Sequence, residues 1–119
     1  MQKKNLKKLF SGISDFWSPK IIGSVNDQYV KIAKVKGKFV WHDHRDEDEM
    51  FFIYKGSLAI EMENETVHLE EGEFYIVPKG VRHRPFAKDE CWVMLIEQKS
   101  TKHTGDVKSK LTRSIEEQR

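Results

Sequence analysis

The stretch from Gly37 to Gly56, GKFVWHDHRDEDEMFFIYKG, carries two histidines and a glutamate at spacings that indicate a β-hairpin. Residues 39–44 begin with aromatic and β-branched side chains, which favour an extended backbone. Residues two apart in a strand share a face, so His42 and His44 are predicted to stand side by side, roughly 6.5–7 Å apart at the backbone. Glu49 follows the polar turn RDED, and a hairpin there would return its carboxylate to the two imidazoles.

A third histidine follows a sharp turn in the second half of the chain. Gly72 in EEGE indicates a turn, and Phe74 to Val77 read as a buried strand. Pro78 cannot donate a hydrogen bond to a strand ladder and Gly80 permits a left-handed turn, so the strand ends there. We expect His83, three residues later, to face back into the cavity that the first pair enters.

Three imidazoles and one carboxylate make a divalent metal site the leading hypothesis for the function. The predicted ligands are His42, His44, Glu49 and His83. This ligand set is compatible with Fe(II), Mn(II), Ni(II), Co(II) or Zn(II), and it leaves one or two open positions on a five- or six-coordinate ion. The alternative is a pocket that has kept these residues but holds no metal.

The positions of the other two histidines and of the residues that line the cavity are predicted from weaker sequence patterns. His68, in a short charged strand, and His103, in a polar tail, are expected to be solvated, although a tail folding over a neighbouring subunit could bring His103 near a pocket. A dry, narrow cavity is expected to be lined by Phe51, Ile53, Phe74, Ile76 and Met94. The candidates for polar contacts at its mouth are Tyr75, Arg82 and Arg84; for the two arginines a plain surface position is favoured.

The spacing of these residues resembles the two motifs of the cupin superfamily. The first family motif is Gly, about five residues, His-x-His, three or four residues, Glu, six residues and Gly. This chain has four residues after Gly37, then His42-Asp-His44, four residues, Glu49, six residues and Gly56. The gap between Gly37 and His42 is one residue shorter than in the family, which alters only how the strand enters the motif.

The second family motif is Gly, five residues, Pro-x-Gly, two residues, His, three residues and Asn. This chain has five residues after Gly72, then Pro78-Lys-Gly80, two residues and His83. Ala87 stands where the family has Asn, so the hydrogen bond made by that Asn is absent. The tail LIEQKSTKHTGDV and the early WSPKII are similar to small single-domain bacterial cupins often labelled mannose-6-phosphate-isomerase-like.

The resemblance implies an all-β, single-domain cupin jelly-roll barrel, also called a double-stranded β-helix, with a short N-terminal helix. We expect an N-terminal helical or irregular segment over residues 1–19, the barrel over 20–98 and a polar C-terminal tail over 99–119. The implied function is that of a metal-dependent cupin acting on a small oxygen-rich molecule, as a dioxygenase, an isomerase or a lyase. A non-catalytic binding or sensing module and a purely structural metal site remain as alternatives.

The hydrophobic pattern by itself also favours an all-β fold. Apolar residues from Leu6 to Trp17 recur at helical intervals, which predicts a short or broken helix before Ser18-Pro19 that covers the outside of the barrel. Short apolar runs separated by turn residues then indicate a sandwich or barrel. The predicted strands are 20–24, 28–36, 50–55, 58–63, 66–69, 74–77, 84–86 and 92–97, with a turn at 88–90 and a further short strand from Thr112.

The composition limits the classes of partner. The chain has 119 residues, 21 basic and 19 acidic, and a net charge of +2, which offers no electrostatic argument for nucleic acid or a membrane as partner. Its single cysteine, Cys91, excludes an intrachain disulfide and is expected to be a small buried hydrophobe. The basic N-terminus is followed by no apolar stretch of signal length, so a cytoplasmic protein is expected.

The run EMFFIY carries information about assembly. If Glu49 faces the interior, Met50, Phe52 and Tyr54 face outward on the same strand. Three large apolar side chains on an outer face need a cover, which could be the N-terminal helix or a second subunit. We predict a homodimer.

Overall fold

The computed structural model describes residues 2–119, so Met1, the first residue of the predicted N-terminal segment, lies outside the described residues. Strands dominate the described part, with one short helix near each end. The helices are α1 (Leu6–Ser11) and α2 (Ile115–Gln118). The strands are β1 (Lys20–Val25), β2 (Gln28–Lys38), β3 (Glu49–Lys55), β4 (Leu58–Met62), β5 (Thr66–Leu69), β6 (Phe74–Val77) and β7 (His83–Gln98). The predicted all-β fold is confirmed.

The long strand β7 joins the two halves of the barrel. The antiparallel sheet runs in the order β1-β2-β7-β3-β6, and β4, which also pairs with β5, lies beside the first half of β7. The prediction of two strands separated by a turn at residues 88–90 was wrong. Those three residues are exposed. They lie at a register shift: Val35 of β2 pairs with Cys91, and Gly37 pairs with Ala87. The pairing between β2 and β7 therefore continues on both sides of residues 88–90.

Side chains alternate between the barrel interior and the outer surface, as the period of a strand requires. Glu49, Phe51 and Ile53 of β3 are buried, whereas the residues between them are only partly buried. On β7, Val93 and Leu95 point into the same interior. The predicted orientation of β3 is therefore correct.

Helix α1 is shorter than the apolar stripe that predicted it. Asn5 caps its start by accepting a hydrogen bond from the Lys8 amide (3.0 Å), and the helix ends at Gly12. Phe10 is fully buried and stacks on Tyr54 and Trp92, with ring centroids 5.2 Å and 5.1 Å away. The helix thus covers part of the outer barrel surface, as predicted.

The C-terminal segment folds back on the barrel, although its local structure was mispredicted. In place of a strand from Thr112, the chain forms α2, which Ser114 and Glu117 start with a reciprocal capping box. Gln118 is fully buried and donates to the carbonyl of Arg113 (3.0 Å). Neither of the described helices, of six and four residues, is long enough to cross a membrane.

Candidate metal centre

Two short backbone contacts bring the separated motifs together. His42, which lies outside the named strands, forms an isolated antiparallel bridge with His83 at the start of β7. The His42 amide donates to the His83 carbonyl (3.0 Å) and the His83 amide to the His42 carbonyl (2.8 Å). The Gly80 amide donates to the His44 carbonyl (2.8 Å). The extended segment predicted for residues 39–44 therefore forms no regular strand. It still pairs with the second motif through His42 and His83, and this pairing brings their imidazoles together.

The four predicted ligands converge in the barrel interior. One donor atom from each of His42, His44, Glu49 and His83 lies within 4.8 Å of the others, and all four residues are buried. A carboxylate oxygen of Glu49, Oε1, is 3.3 Å from Nε2 of His44 and 3.5 Å from Nε2 of His83. Metal–ligand bonds of about 2.1 Å would place opposite donor atoms about 4.2 Å apart, so the cluster has the dimensions of a single-ion site.

Backbone carbonyls determine which nitrogen two of the rings present. Nδ1 of His42 lies 2.9 Å from the Val40 carbonyl oxygen, and Nδ1 of His83 lies 2.9 Å from that of Val81. A carbonyl oxygen only accepts, so each Nδ1 carries the proton and donates it. In the neutral ring, Nε2 is then left with its lone pair, as metal ligation requires.

Several polar atoms of this cluster have no hydrogen-bond partner among the described residues. They are both ring nitrogens of His44, Oε1 of Glu49 and Nε2 of His83. Buried polar atoms without a partner cost free energy, and one cation would satisfy Oε1 of Glu49, Nε2 of His83 and one ring nitrogen of His44 together. The residues present therefore fit a divalent ion, and these four side chains could hold one.

The protonation states of His42 and Glu49 also suit a cation. Burial, assisted by the nearby His83, lowers the pKa of His42 to about 4. Burial alone would lower the pKa of His44, but contact with the Glu49 carboxylate outweighs it and raises that pKa. Burial would raise the pKa of Glu49, but its close contacts with Glu97, His44 and His83 outweigh burial, and that pKa lies well below the usual range. Glu49 is therefore a carboxylate at neutral pH.

A second buried polar group, which sequence reasoning missed, lies behind Glu49. Lys31 and Glu97 are 1% and 3% exposed, and Nζ of Lys31 is 2.7 Å from a carboxylate oxygen of Glu97. Glu97 is paired with Glu49 across strands β7 and β3, and burial together with that neighbouring charge raises the pKa of Glu97 well above its usual range. The sequence signal that could have predicted this pair was Lys31 itself. It is a charged residue on the inward face of β2, the face that also carries Ala33 and Val35.

A small cavity opens beside His42 and Glu49. The cavity has a volume of about 40 Å³. Its apolar walls come from Trp17, Pro19, Ala33, Val35, Phe39, Phe51, Pro85, Val93 and Leu95. Its polar lining is His42, Glu49 and His103.

The predicted wall residues are only partly correct. Phe51 lines the cavity, and Ile53 is fully buried in the core without reaching it. Phe74 and Ile76 were wrongly placed inside: they are 59% and 47% exposed because β6 turns these side chains outward. Met94 is also on the outer face, and its neighbours Val93 and Leu95 occupy the interior positions.

The candidate polar residues at the mouth lie elsewhere. Arg84 forms an ion pair with Glu61 (3.1 Å), and Arg82 lies over the ring of Trp41 at 4.8 Å. The Tyr75 hydroxyl approaches the sulfur of Met62 at 3.9 Å. Neither arginine nor Tyr75 lines the cavity, which agrees with the surface interpretation favoured for the arginines. His68 is exposed, as predicted.

His103 is not solvated, contrary to expectation. Its ring is partly buried, lies 5.0 Å from the ring of Phe39, and lines the cavity together with His42 and Glu49. The chain's own tail, rather than that of a neighbouring subunit, brings it there. The tail has no hydrophobic period that could have predicted this position.

Comparison with protein families identifies the class defined by this barrel and its histidine cluster. The family model described as "Cupin domain" matches residues 28–96, which is more than half of the chain. The protein belongs to this family, and the cupin jelly-roll fold is confirmed. The narrower mannose-6-phosphate-isomerase-like grouping stays a prediction.

Known proteins similar to this chain span several bacteria. The uncharacterized protein YdbB of Bacillus subtilis (strain 168) is 39% identical over 64 residues, 53% of this chain and 57% of that protein. The chain thus spans little more than half the length of this relative. A cupin-2 domain containing protein from Shewanella frigidimarina is 44% identical, with 81% of this chain and 94% of that chain covered and a TM-score of 0.80. Protein NMB1881 from Neisseria meningitidis is 32% identical, with coverage of 82% and 99% and a TM-score of 0.76.

Proposed function

We propose that this cupin binds one divalent metal ion through His42, His44, Glu49 and His83 and acts on a small oxygen-rich molecule beside it. The observation that carries the proposal is the convergence of four buried donor atoms within 4.8 Å, several of which have no other partner. The Nδ1–H bonds to backbone carbonyls, which orient two of the rings, support the same assignment.

The chemistry proposed is that of a dioxygenase, an isomerase or a lyase. A bound divalent ion supplies Lewis-acid polarisation and, if it is redox-active, a position for oxygen. The chain itself supplies orientation and exclusion of water: Phe39, Phe51 and Leu95 enclose the cavity with apolar surface. Fe(II), Mn(II), Ni(II), Co(II) and Zn(II) all suit the ligand types.

The size of the cavity limits the ligand. A cavity volume of about 40 Å³ admits only a small molecule. The ligand is therefore a molecule of few non-hydrogen atoms, and its polar groups must face His42, Glu49 or His103, because the other walls are apolar.

The metal assignment is tested by elemental analysis of protein purified without added metal or chelator. Wild type is expected to carry close to one ion per chain. His42→Ala, His44→Ala and His83→Ala should each lose most of it, because each removes one of four donors. His68→Ala is the matched control, since His68 is exposed and outside the cluster, and it should keep the metal. Equal metal loss in His68→Ala would contradict the assignment.

Turnover separates the proposed enzyme from its alternatives. Small organic acids, diols, thiols and sugars would be screened with protein loaded with each candidate metal. A ligand that raises the melting temperature without being converted would favour a binding or sensing module. A melting temperature that falls on metal removal and rises with no ligand would favour a structural ion.

The proposal includes a homodimer in the cytoplasm. On the outer face of the sheet, Phe52 pairs with the exposed Phe74 and Met50 with the exposed Ile76, which leaves a continuous apolar surface. Phe10 of helix α1 stacks on Tyr54, whereas Phe74 and Ile76 remain exposed, and a second copy of the chain would bury them. A reducing compartment suits Cys91, a buried free thiol whose pKa burial raises to about 12.

A further inference from the structure

His103 reaches the cavity from the C-terminal tail and is not part of the ligand cluster. Its ring lines the cavity together with His42 and Glu49 and lies 5.0 Å from the Phe39 ring. The remaining walls of the cavity are apolar. A ligand between the cluster and His103 therefore has one polar partner on the side of the tail.

The hydrogen bond made by His103 is the reverse of those made by His42 and His83. The backbone amide of Arg113 donates to Nδ1 of His103 (2.9 Å), so this nitrogen is the acceptor and carries no proton. The neutral ring must then hold its proton on Nε2. Burial lowers the pKa of His103 to about 4, so the neutral form prevails at pH 7. His42 and His83 offer lone pairs on Nε2, whereas His103 offers an N–H donor.

The tail that carries His103 packs closely against the segment 42–44, which carries two of the predicted metal ligands. Gly105 has φ +58°, and a Cβ atom there would collide with the carbonyl oxygen of Asp43. Thr104 is fully buried, and its hydroxyl is 2.7 Å from that of Thr112. The position of the His103 ring is therefore determined by packing on both sides.

We propose that His103 is a ligand-binding residue whose Nε2–H donates to an oxygen of a small organic acid anion that occupies the cavity. This rests on the proposed function, because the other oxygens of the anion face the metal held by His42 and Glu49. A donor at this position selects a carboxylate, carbonyl or enolate oxygen and disfavours an ammonium group. The site thus takes small carboxylates that carry a second oxygen able to reach the metal.

The test measures oxalate binding to the Co(II)-loaded protein by the change in its visible absorption. His103→Asn places its amide near the position of Nδ1, so it can accept the Arg113 N–H but lacks the distal donor. His103→Gln places an N–H near the position of Nε2. Loss of one hydrogen bond to a carboxylate should weaken oxalate binding roughly 10-fold or more in His103→Asn, and His103→Gln should restore it to within about 3-fold of wild type. His68→Asn and His68→Gln serve as controls and should bind like wild type.

Each outcome has a distinct meaning. Equal oxalate affinity in wild type and His103→Asn overturns the role of His103. Oxalate affinity that is kept in His103→Asn but lost in His103→Gln also overturns it, because that result means that His103 only holds the tail in place. Metal-loaded wild type that binds no oxalate overturns the ligand class. Wild type that binds no Co(II) overturns the proposed metal function, and this inference with it. Melting temperatures recorded in parallel show that the variants are folded.

Discussion

At the residue scale, the environment of each histidine decides its chemical role. His42 and His83 donate from Nδ1 to carbonyls two residues earlier in the chain, and His103 accepts at Nδ1 from an amide ten residues later. Spacing in the sequence indicated two of these residues as ligands, but it contains no signal for the tautomer. The tautomer depends on which backbone group lies beside the ring in the folded chain.

His42 and His103 should each contribute a loss of stability in the metal-free protein as the pH falls from about 6.5 to about 4. Burial lowers the pKa values of both His42 and His103 from the ordinary value of 6.5 to about 4. In this window the unfolded chain binds protons that the folded chain does not, so the free energy of unfolding decreases with decreasing pH by up to about 1.4 kcal/mol per unit for each group. Chemical denaturation with a chelator present, at several pH values, measures this slope.

A variant isolates one of these contributions. His44 and Glu97 act in the opposite sense, because their raised pKa values add stability at lower pH, so the informative quantity is the difference between variants. His103→Gln should show a smaller pH-dependent loss than wild type, and the exposed His68→Gln should show the same loss as wild type. Equal slopes for His103→Gln and wild type would contradict the pKa of His103.

At the scale of elements, turns and strand irregularities hold the two motifs together. The turn after β3 packs on the middle of β7: a Cβ atom on Gly56 (φ +88°) would lie 2.8 Å from the carbonyl oxygen of Glu90. At Gly37 (φ +82°) a Cβ atom would meet nothing within 4 Å. The two glycines thus share a left-handed backbone and differ only in their surroundings.

Gly56→Ala should therefore destabilise the protein more than Gly37→Ala. Left-handed backbone strain alone should cost about 1 kcal/mol at Gly37. The additional contact with β7 should bring the cost at Gly56 to roughly 2 kcal/mol or more. Urea denaturation monitored by tryptophan fluorescence measures both values. A smaller loss at Gly56 than at Gly37 would mean that the close approach to Glu90 does not exist in solution.

Asp48 links the hairpin of the first motif to the turn of the second. Its Oδ1 accepts a hydrogen bond from the Lys79 amide (2.9 Å), next to Gly80, whose amide binds the His44 carbonyl. Asp48→Ala should lower metal affinity roughly 10-fold, because supporting contacts orient ligands that remain unchanged. Competition with a chelating dye measures this affinity. Asp46→Ala, at an exposed position of the same loop, should leave it unaltered.

At the scale of the whole molecule, the outer face of β3 and β6 carries two adjacent exposed apolar side chains, Phe74 and Ile76. The homodimer proposed to cover it should give twice the chain mass in light scattering or sedimentation at micromolar concentration. Replacing Phe74 and Ile76 together by Ser should shift the mass to that of one chain, because it removes apolar area from the contact. Val25→Ser is the matched control, since Val25 is equally exposed at 59% but lies on β1. A monomeric wild type, or dissociation caused by Val25→Ser, would contradict the location of the contact.

The sequence by itself determined the strand content, the inward face of β3 and the four residues that converge, because these follow from local periodicity and motif spacing. The tertiary structure alone decided which apolar residues line the cavity. A short run such as FYIV shows no preference for one face, and Phe74 and Ile76 are outside because β6 pairs them with Phe52 and Met50, which lie on the outer face of β3. The continuity of β7, the pairing of Lys31 with Glu97 and the arrival of His103 at the cavity likewise depend on contacts between residues far apart in the chain. The stability of these contacts depends on burial and on the geometry of the two partners, and neither can be predicted from a local sequence pattern.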